Sequence, residues 1–245
     1  MEPDFSHLFH QSSKDRTRGH IPIATDSKEW PLEWHTTYYK TYPRLPKIIL
    51  PDTKPSGDFF DLVRGRKSRR NFTDKPLSLE ALSSLLRYSC GVVGKLEDGR
   101  PKRAHPSGGA RFPLEIYPLV FRGSESLPAG VYHYNFKAHA LDVLWKRDFS
   151  EEERRTLFLY PWVKEAAVVF LLTAVFWRSK NKYGEAGYRY ILLEGGHIGQ
   201  NLYLTAEALG LQCSALGGVD NKAIESILDI DGITESAIYA LAVGI

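Results

Sequence analysis

Lys182 and Tyr183 stand side by side at the head of the segment KYGEAGYRYILLEGGHIGQNLYL, residues 182–204. A lysine near its ordinary pKa of about 10.4 is a poor base at neutral pH, but burial and nearby cations favour its neutral form. Arg178, Lys180 and Arg189 are close in sequence. In a cleft, Lys182 would accept a proton while Tyr183 serves as hydrogen-bond partner or proton donor. A surface Lys-Tyr pair with no chemistry fits the same two residues. A second cluster, RGRKSRRNF at 64–72, sets five cationic side chains around Ser68. Guanidinium forks and a hydroxyl suit phosphate oxygens, although a solvated basic face has the same composition.

Two further stretches expose backbone. In AHPSGGARFPLEIY, residues 104–117, Pro106, Ser107, Gly108 and Gly109 leave amides uncrowded, so that a planar ring or an anion could come close; a tight turn accounts for them equally well. Gly217 and Gly218 follow an apolar run ending at Leu216 and offer amides at a strand end. HExxH, paired-cysteine, GxSxG and GxGxxG patterns are all absent, so zinc hydrolysis, serine hydrolysis and dinucleotide binding lack their usual spacing.

The elements that must position these groups can be read from periodicity. On a 3.6-residue helix, Tyr188, Ile191, Leu192, Gly195, Ile198, Gly199, Leu202, Ala206 and Leu209 share an apolar face, and Gly210 closes the helix. Tyr190, Glu194, His197, Asn201 and Thr205 form an adjoining polar stripe. Gly195, Gly196 and Gly199 each cost about 1 kcal/mol relative to alanine in mid-helix, which a close helix or a flat ligand would offset. Ser78 and Ser150 read as helix caps, and Asn221 as the start of a short helix. Leu114–Phe121, Val131–Tyr134 and Ala140–Trp145 read as an antiparallel meander, its first strand at an edge or bulge because of Pro118. Ala166–Phe176 reads as a central strand buried on both faces, with Leu211–Leu216 and Ala237–Val243 as later strands. Gly91–Arg103 reads as a polar loop.

A chain of 245 residues, 43% hydrophobic, can bury a full core. The expected organisation is an extended arm over 1–58, rich in proline and aromatic residues such as Trp30, Trp34, Tyr38, Tyr39 and Tyr42, and one domain over 59–245. The net charge of +3, without a long basic block, gives no footing to nucleic-acid binding. Two cysteines without CxxC spacing, the lack of a signal-like apolar start and the lack of a bilayer-length apolar run point to a reducing cytoplasm and no membrane segment.

Taken together, RKSRRNF resembles the amino-terminal RRSxRxF signature of the flavin-dependent nitroreductase superfamily. PSGGARFPLEIY and the 182–204 block are similar to its SagB-type dehydrogenase branch. The resemblance implies an α+β fold with a central, mostly antiparallel sheet flanked by helices, and a homodimer with non-covalent FMN at the subunit interface. By position, it implies that Arg66, Lys67, Ser68 and Arg70 hold the phosphate and ribityl chain, with Lys67 where arginine is common. Pro106, Ser107, Gly108 and Gly109 would line the flavin ring from the same or the partner chain, Leu216, Gly217 and Gly218 would contact its reactive edge, and Asn201 is a further binding candidate. Lys182 and Tyr183 would be the catalytic pair of an azoline oxidase, which turns a thiazoline or oxazoline ring in a peptide or small molecule into the azole, with hydride passing to flavin N5 and O2 as reoxidant. A cyclase or carrier-protein partner is compatible with that role. Two alternatives share the signature: an NAD(P)H-dependent nitro- or quinone reductase, and a non-catalytic subunit that binds a peptide or partner.

Overall fold

The fold is built on alternation in one strand. Val168–Val175 (β6) sends Phe170 and Leu172 to one face of a sheet and Val169 and Leu171 to the other, all fully buried, as a strand covered on both sides requires. This computed structural model describes residues 4–13, 29, 58–95, 97, 101–136 and 138–245. Its helices are α1 (Phe5–Ser13), α2 (Asp58–Gly65), α3 (Leu79–Ser89), α4 (Glu151–Leu157), α5 (Trp177–Tyr183), α6 (Ala186–Ala208) and α7 (Asn221–Leu228). Six strands, β3 (Leu114–Val120), β4 (Gly130–Asn135), β5 (Ala140–Lys146), β6, β7 (Gln212–Leu216) and β8 (Glu235–Gly244), form one sheet in the order β5-β4-β3-β6-β8-β7. Every pairing in it is antiparallel.

Helices α3 and α6 cover one face, where Leu82, Leu85, Ile191, Ile198 and Leu202 meet Ile116, Phe170 and Leu172. The other face carries Leu157 of α4, Val163, and Ile224 and Leu228 of α7 against Val169 and Leu171. The caps are as the sequence predicts: Ser78 accepts from the Ala81 amide, and Ser150 forms a reciprocal capping box with Glu153. The last helix starts at Asn221, as expected, and is capped by Asp220 through the Ala223 amide.

Two expectations need correction. The 91–103 stretch contains a small hairpin, β1 (Val92–Lys95) with β2 (Pro101–Arg103). β3 is interior and lies between β4 and β6, but its ladder with β4 is confined to Leu119 and Val120, so Pro118 sits where β3 has a single paired neighbour. Lys182 and Tyr183 lie before the long helix. They close the short α5, and Gly184, at φ +53, makes the corner into α6. Of the N-terminal arm, α1 is described, and the aromatic cluster from Trp30 to Tyr42 lies outside the described residues. Among the described residues, no helix is long and apolar enough to cross a membrane, and Cys90 and Cys213 are buried free thiols pushed up to about 12 by burial.

Candidate active site

Tyr183 is half-buried and meets Tyr190 of α6 edge to face at 5.1 Å, while Lys182, exposed, carries its Nζ 5.3 Å from the Tyr183 ring centroid. Against them lies the loop over 106–110. A Cβ built on Gly109 would collide with the Tyr183 hydroxyl and stand 2.7 Å from Lys182 Nζ, and one on Gly108 would touch Tyr190 and Tyr183. Glycine is needed at 109 twice over, since its φ is +61. Two motifs more than seventy residues apart in the chain are thus one site.

That loop is held from beneath. The Ser107 hydroxyl donates to Glu194 Oε2 at 2.6 Å and accepts from the Phe112 amide at 2.8 Å, so its proton is committed inside the protein and what the loop presents outward is backbone. The other Glu194 oxygen meets His105 Nε2 at 3.1 Å; both side chains are almost wholly buried. These contacts sustain left-handed backbone at Ala110 and Phe112, φ +53 and +45, which a residue with a Cβ adopts only under constraint. Asn201, on the same side of α6, donates its amide to the Ser89 and Ala104 carbonyls and so braces the end of α3 to the chain entering this loop. Of the cations near Lys182, Arg178 is paired with Glu115 at 2.5 Å and Lys180 with Asp4 at 2.7 Å, which neutralises much of their field.

The cationic segment lies elsewhere, along the outer edge of β7, where the Arg69 amide donates to the Cys213 carbonyl. The Arg66 guanidinium sits 5.3 Å over the Tyr203 ring, and the Ser68 hydroxyl meets the Tyr203 hydroxyl at 2.9 Å. Arg70 Nε donates to Ser214 Oγ at 3.2 Å and its guanidinium lies over Trp162. Arg69 instead turns back to Glu207, whose carboxyl it holds below the ordinary range, leaving Arg66, Lys67 and Arg70 as the available cations of this run. At the end of β7, buried Leu216 leads into exposed Gly217 and then Gly218, where a Cβ would come within 2.5 Å of Leu159. Beside them opens a cleft of about 270 Å³ whose walls include Tyr188, Leu192, Leu216, Gly217, Ile238 and Tyr239.

The candidate residues therefore fall into two groups on opposite flanks of α6. Tyr190 marks the Lys-Tyr group and Tyr203 the cationic group; about 20 Å of rise and about 140° around the axis separate them. Glu194, His105, Tyr190, Tyr203 and Trp162 complete the groups. Of these, only Tyr190 and Glu194 carried a sequence signal, as polar positions on a glycine-bearing helix.

The chain matches the Nitroreductase family over residues 63–245 and belongs to it. It is 33% identical to the nitroreductase-named protein MJ1384 of Methanocaldococcus jannaschii, covering 75% of this chain and 90% of that one. It is 35% identical to the trifolitoxin-processing protein TfxB of Rhizobium leguminosarum, covering 68% of this chain but 47% of TfxB. Its fold superimposes on a chain of the Escherichia coli microcin synthetase McbBCD complex with truncated pro-MccB17 bound, with TM-score 0.73, 22% identity, and coverage of 100% and 94%. A Desulfovibrio desulfuricans nitroreductase structure in complex with FMN matches at TM-score 0.51 and 18% identity, over 78% of this chain and 87% of that one. The trifolitoxin-processing match is one expected of the SagB-type branch.

Proposed function

We propose that this protein is an FMN-dependent dehydrogenase that oxidises a thiazoline- or oxazoline-type ring, borne on a peptide or a related small molecule, to the aromatic azole. The observation that carries this reading is the contact of Gly109 with Lys182 and Tyr183, which joins the loop and the base-and-donor pair into one reactive corner. The groups present suit FMN. Arg66, Lys67 and Arg70 with Ser68 supply charge and donors for a phosphate, and the cleft at Leu216 and Gly217 has apolar and aromatic walls for a flat ring. When bound, FMN supplies the two-electron acceptor. Lys182 takes the proton from the ring carbon, and Tyr183 fixes the lysine and hydrogen-bonds the heteroatom edge of the substrate. The Gly108–Gly109 backbone lets a planar substrate approach without a side chain in the way.

A homodimer completes the site in this reading. Between the two flanking groups, α6 presents an exposed stripe of Arg189, Leu193, Gly196, His197 and Gln200; Leu193 is 58% exposed and a Cβ on Gly196 would touch nothing. Gly195 and Gly199 are accounted for inside the chain by Ile238 and the Tyr239 ring, so only Gly196 awaits an outside neighbour. Gly196 and His197 also lie midway between Tyr190 and Tyr203. A second copy laid antiparallel about that midpoint brings the Lys-Tyr corner of one subunit to the cationic segment of the other.

The test uses FMN-loaded protein and a thiazoline-containing peptide. Azole formation that Lys182→Ala abolishes while flavin absorbance persists supports the proposal. Full turnover by that variant removes Lys182 as the base, and rapid bleaching by NADPH with no azoline turnover favours a nitro- or quinone reductase instead.

A further inference from the structure

Helix α1 reaches the Lys182–Tyr183 corner from outside the 63–245 stretch that the family match covers. Both Asp4 carboxylate oxygens accept from Lys180 Nζ, at 2.8 and 2.7 Å. The Ser6 amide donates to Glu185 Oε2 at 2.7 Å, and Lys180 also lies 3.3 Å from Glu185. Deeper in, His10 Nδ1 meets the Tyr188 hydroxyl at 2.9 Å, and the His10 ring packs edge-on to Phe176 at 4.8 Å. These contacts fall at 176, 180, 185 and 188, on both sides of the pair in sequence and in none of the residues between.

The pair sits where the backbone has least support of its own. α5 is seven residues long, too short to hold itself, and Lys182 and Tyr183 occupy its last turn before the left-handed Gly184. One side of α5 is pinned by the body: Arg178 to Glu115 and the Phe112 carbonyl, and Arg111 to the Arg178 carbonyl and Asn181. Lys180 points to the other side, and there α1 supplies its anchor. Without it, Lys180 would keep only the Glu185 carboxylate on that side, and the Lys182 ammonium would sample directions away from Gly109.

We propose that α1 is a positioning element for the Lys182–Tyr183 pair, with Asp4 as its positioning residue acting through Lys180. This rests on Lys182 being the base of the reaction proposed above. Neither Asp4 nor Lys180 touches substrate in this account; they set where Lys182 points. The Asp4–Lys180 pair is half-exposed on the Asp4 side, so its loss leaves the fold intact and alters the populated geometry of the corner. Lys180 and the His7 amide hold the Asp4 carboxyl well below the usual carboxylate range, so the clamp is charged throughout the neutral range.

The experiment compares Asp4→Asn, Lys180→Met, the double variant and Asp4→Glu in the full FMN-loaded chain. Asp4→Asn and Lys180→Met each lower kcat about tenfold, as a small misplacement of a reacting group does, with KM, flavin content and melting temperature held. The double variant loses no more than either single one, because both break the same link, and Asp4→Glu recovers most of the rate. Wild-type kcat in Asp4→Asn, or losses that multiply in the double variant, overturns the proposal. Lys182→Ala in the same assay separates the two readings. If it abolishes turnover while Asp4→Asn does not, only the clamp fails; if it retains turnover, the assignment of the base fails first.

Discussion

Gly109 is where single-residue chemistry is least forgiving. Its positive φ costs any L-residue about 1–2 kcal/mol, and a methyl there displaces the Tyr183 hydroxyl. Gly109→Ala should therefore lower the melting temperature by a few degrees and lower turnover by at least about tenfold, checked by calorimetry and single-turnover kinetics. A second residue-scale prediction concerns His133, which lies between Glu115 at 2.9 Å and Asp142 at 3.1 Å. Its hydrogen bond to Glu115, against the opposing effect of burial, raises its pKa above 6.5. A group whose pKa is raised on folding stabilises fully below the unfolded value, and that contribution is lost as pH climbs through the folded one. The melting temperature should fall as pH rises above about 6.5, and His133→Gln should flatten that decline; an unchanged slope in the variant would show that His133 is not its source.

At the scale of elements, the long helix decides the matter. Alanine in an exposed helix interior is favoured over glycine by about 1 kcal/mol, so an open Gly196 is a cost with no return inside one chain. In the proposed dimer, Gly196→Leu should break the α6 contact, giving monomer in sedimentation and no turnover, whereas a persisting dimer would place the interface elsewhere. Much of this layer was legible in the sequence. The continuous apolar run of β6, the serine caps, and the apolar face of α6 are local patterns, and local patterns survive folding. The break at Gly184 was hidden because the periodic pattern of the long helix begins only at Tyr188, so nothing upstream of it separated α5 from α6. The interior place of β3 was hidden as well, since Pro118 marks a position paired on one side only and says nothing about which strands come next.

The whole molecule adds what no segment contains, namely which groups share a site. The sequence placed Lys182, Gly109 and Arg70 among the candidates, but only the fold puts the first two together and the third on the far flank of α6. It also shows what Ser107 and Asn201 do within the chain, the Ser107 hydroxyl donating to Glu194 and the Asn201 amide nitrogen to the Ser89 and Ala104 carbonyls. Glu194 itself is a polar residue on a glycine-bearing helix until His105 and Ser107 arrive from about ninety residues upstream. A site divided between subunits has a consequence that one lacking such a division does not. Lys182→Ala and Arg70→Ala chains should each be inactive alone, one lacking the base and the other part of the phosphate grip. Mixed in equal amounts and allowed to exchange, they form hybrid dimers in which one of the two sites draws on an intact half from each chain. The measurement is the azoline-oxidising rate of that mixture with FMN supplied: recovery to about a quarter of the wild-type rate is the predicted result, and no recovery, with hybrid dimers shown to be present, would contradict a site shared between two copies of this chain.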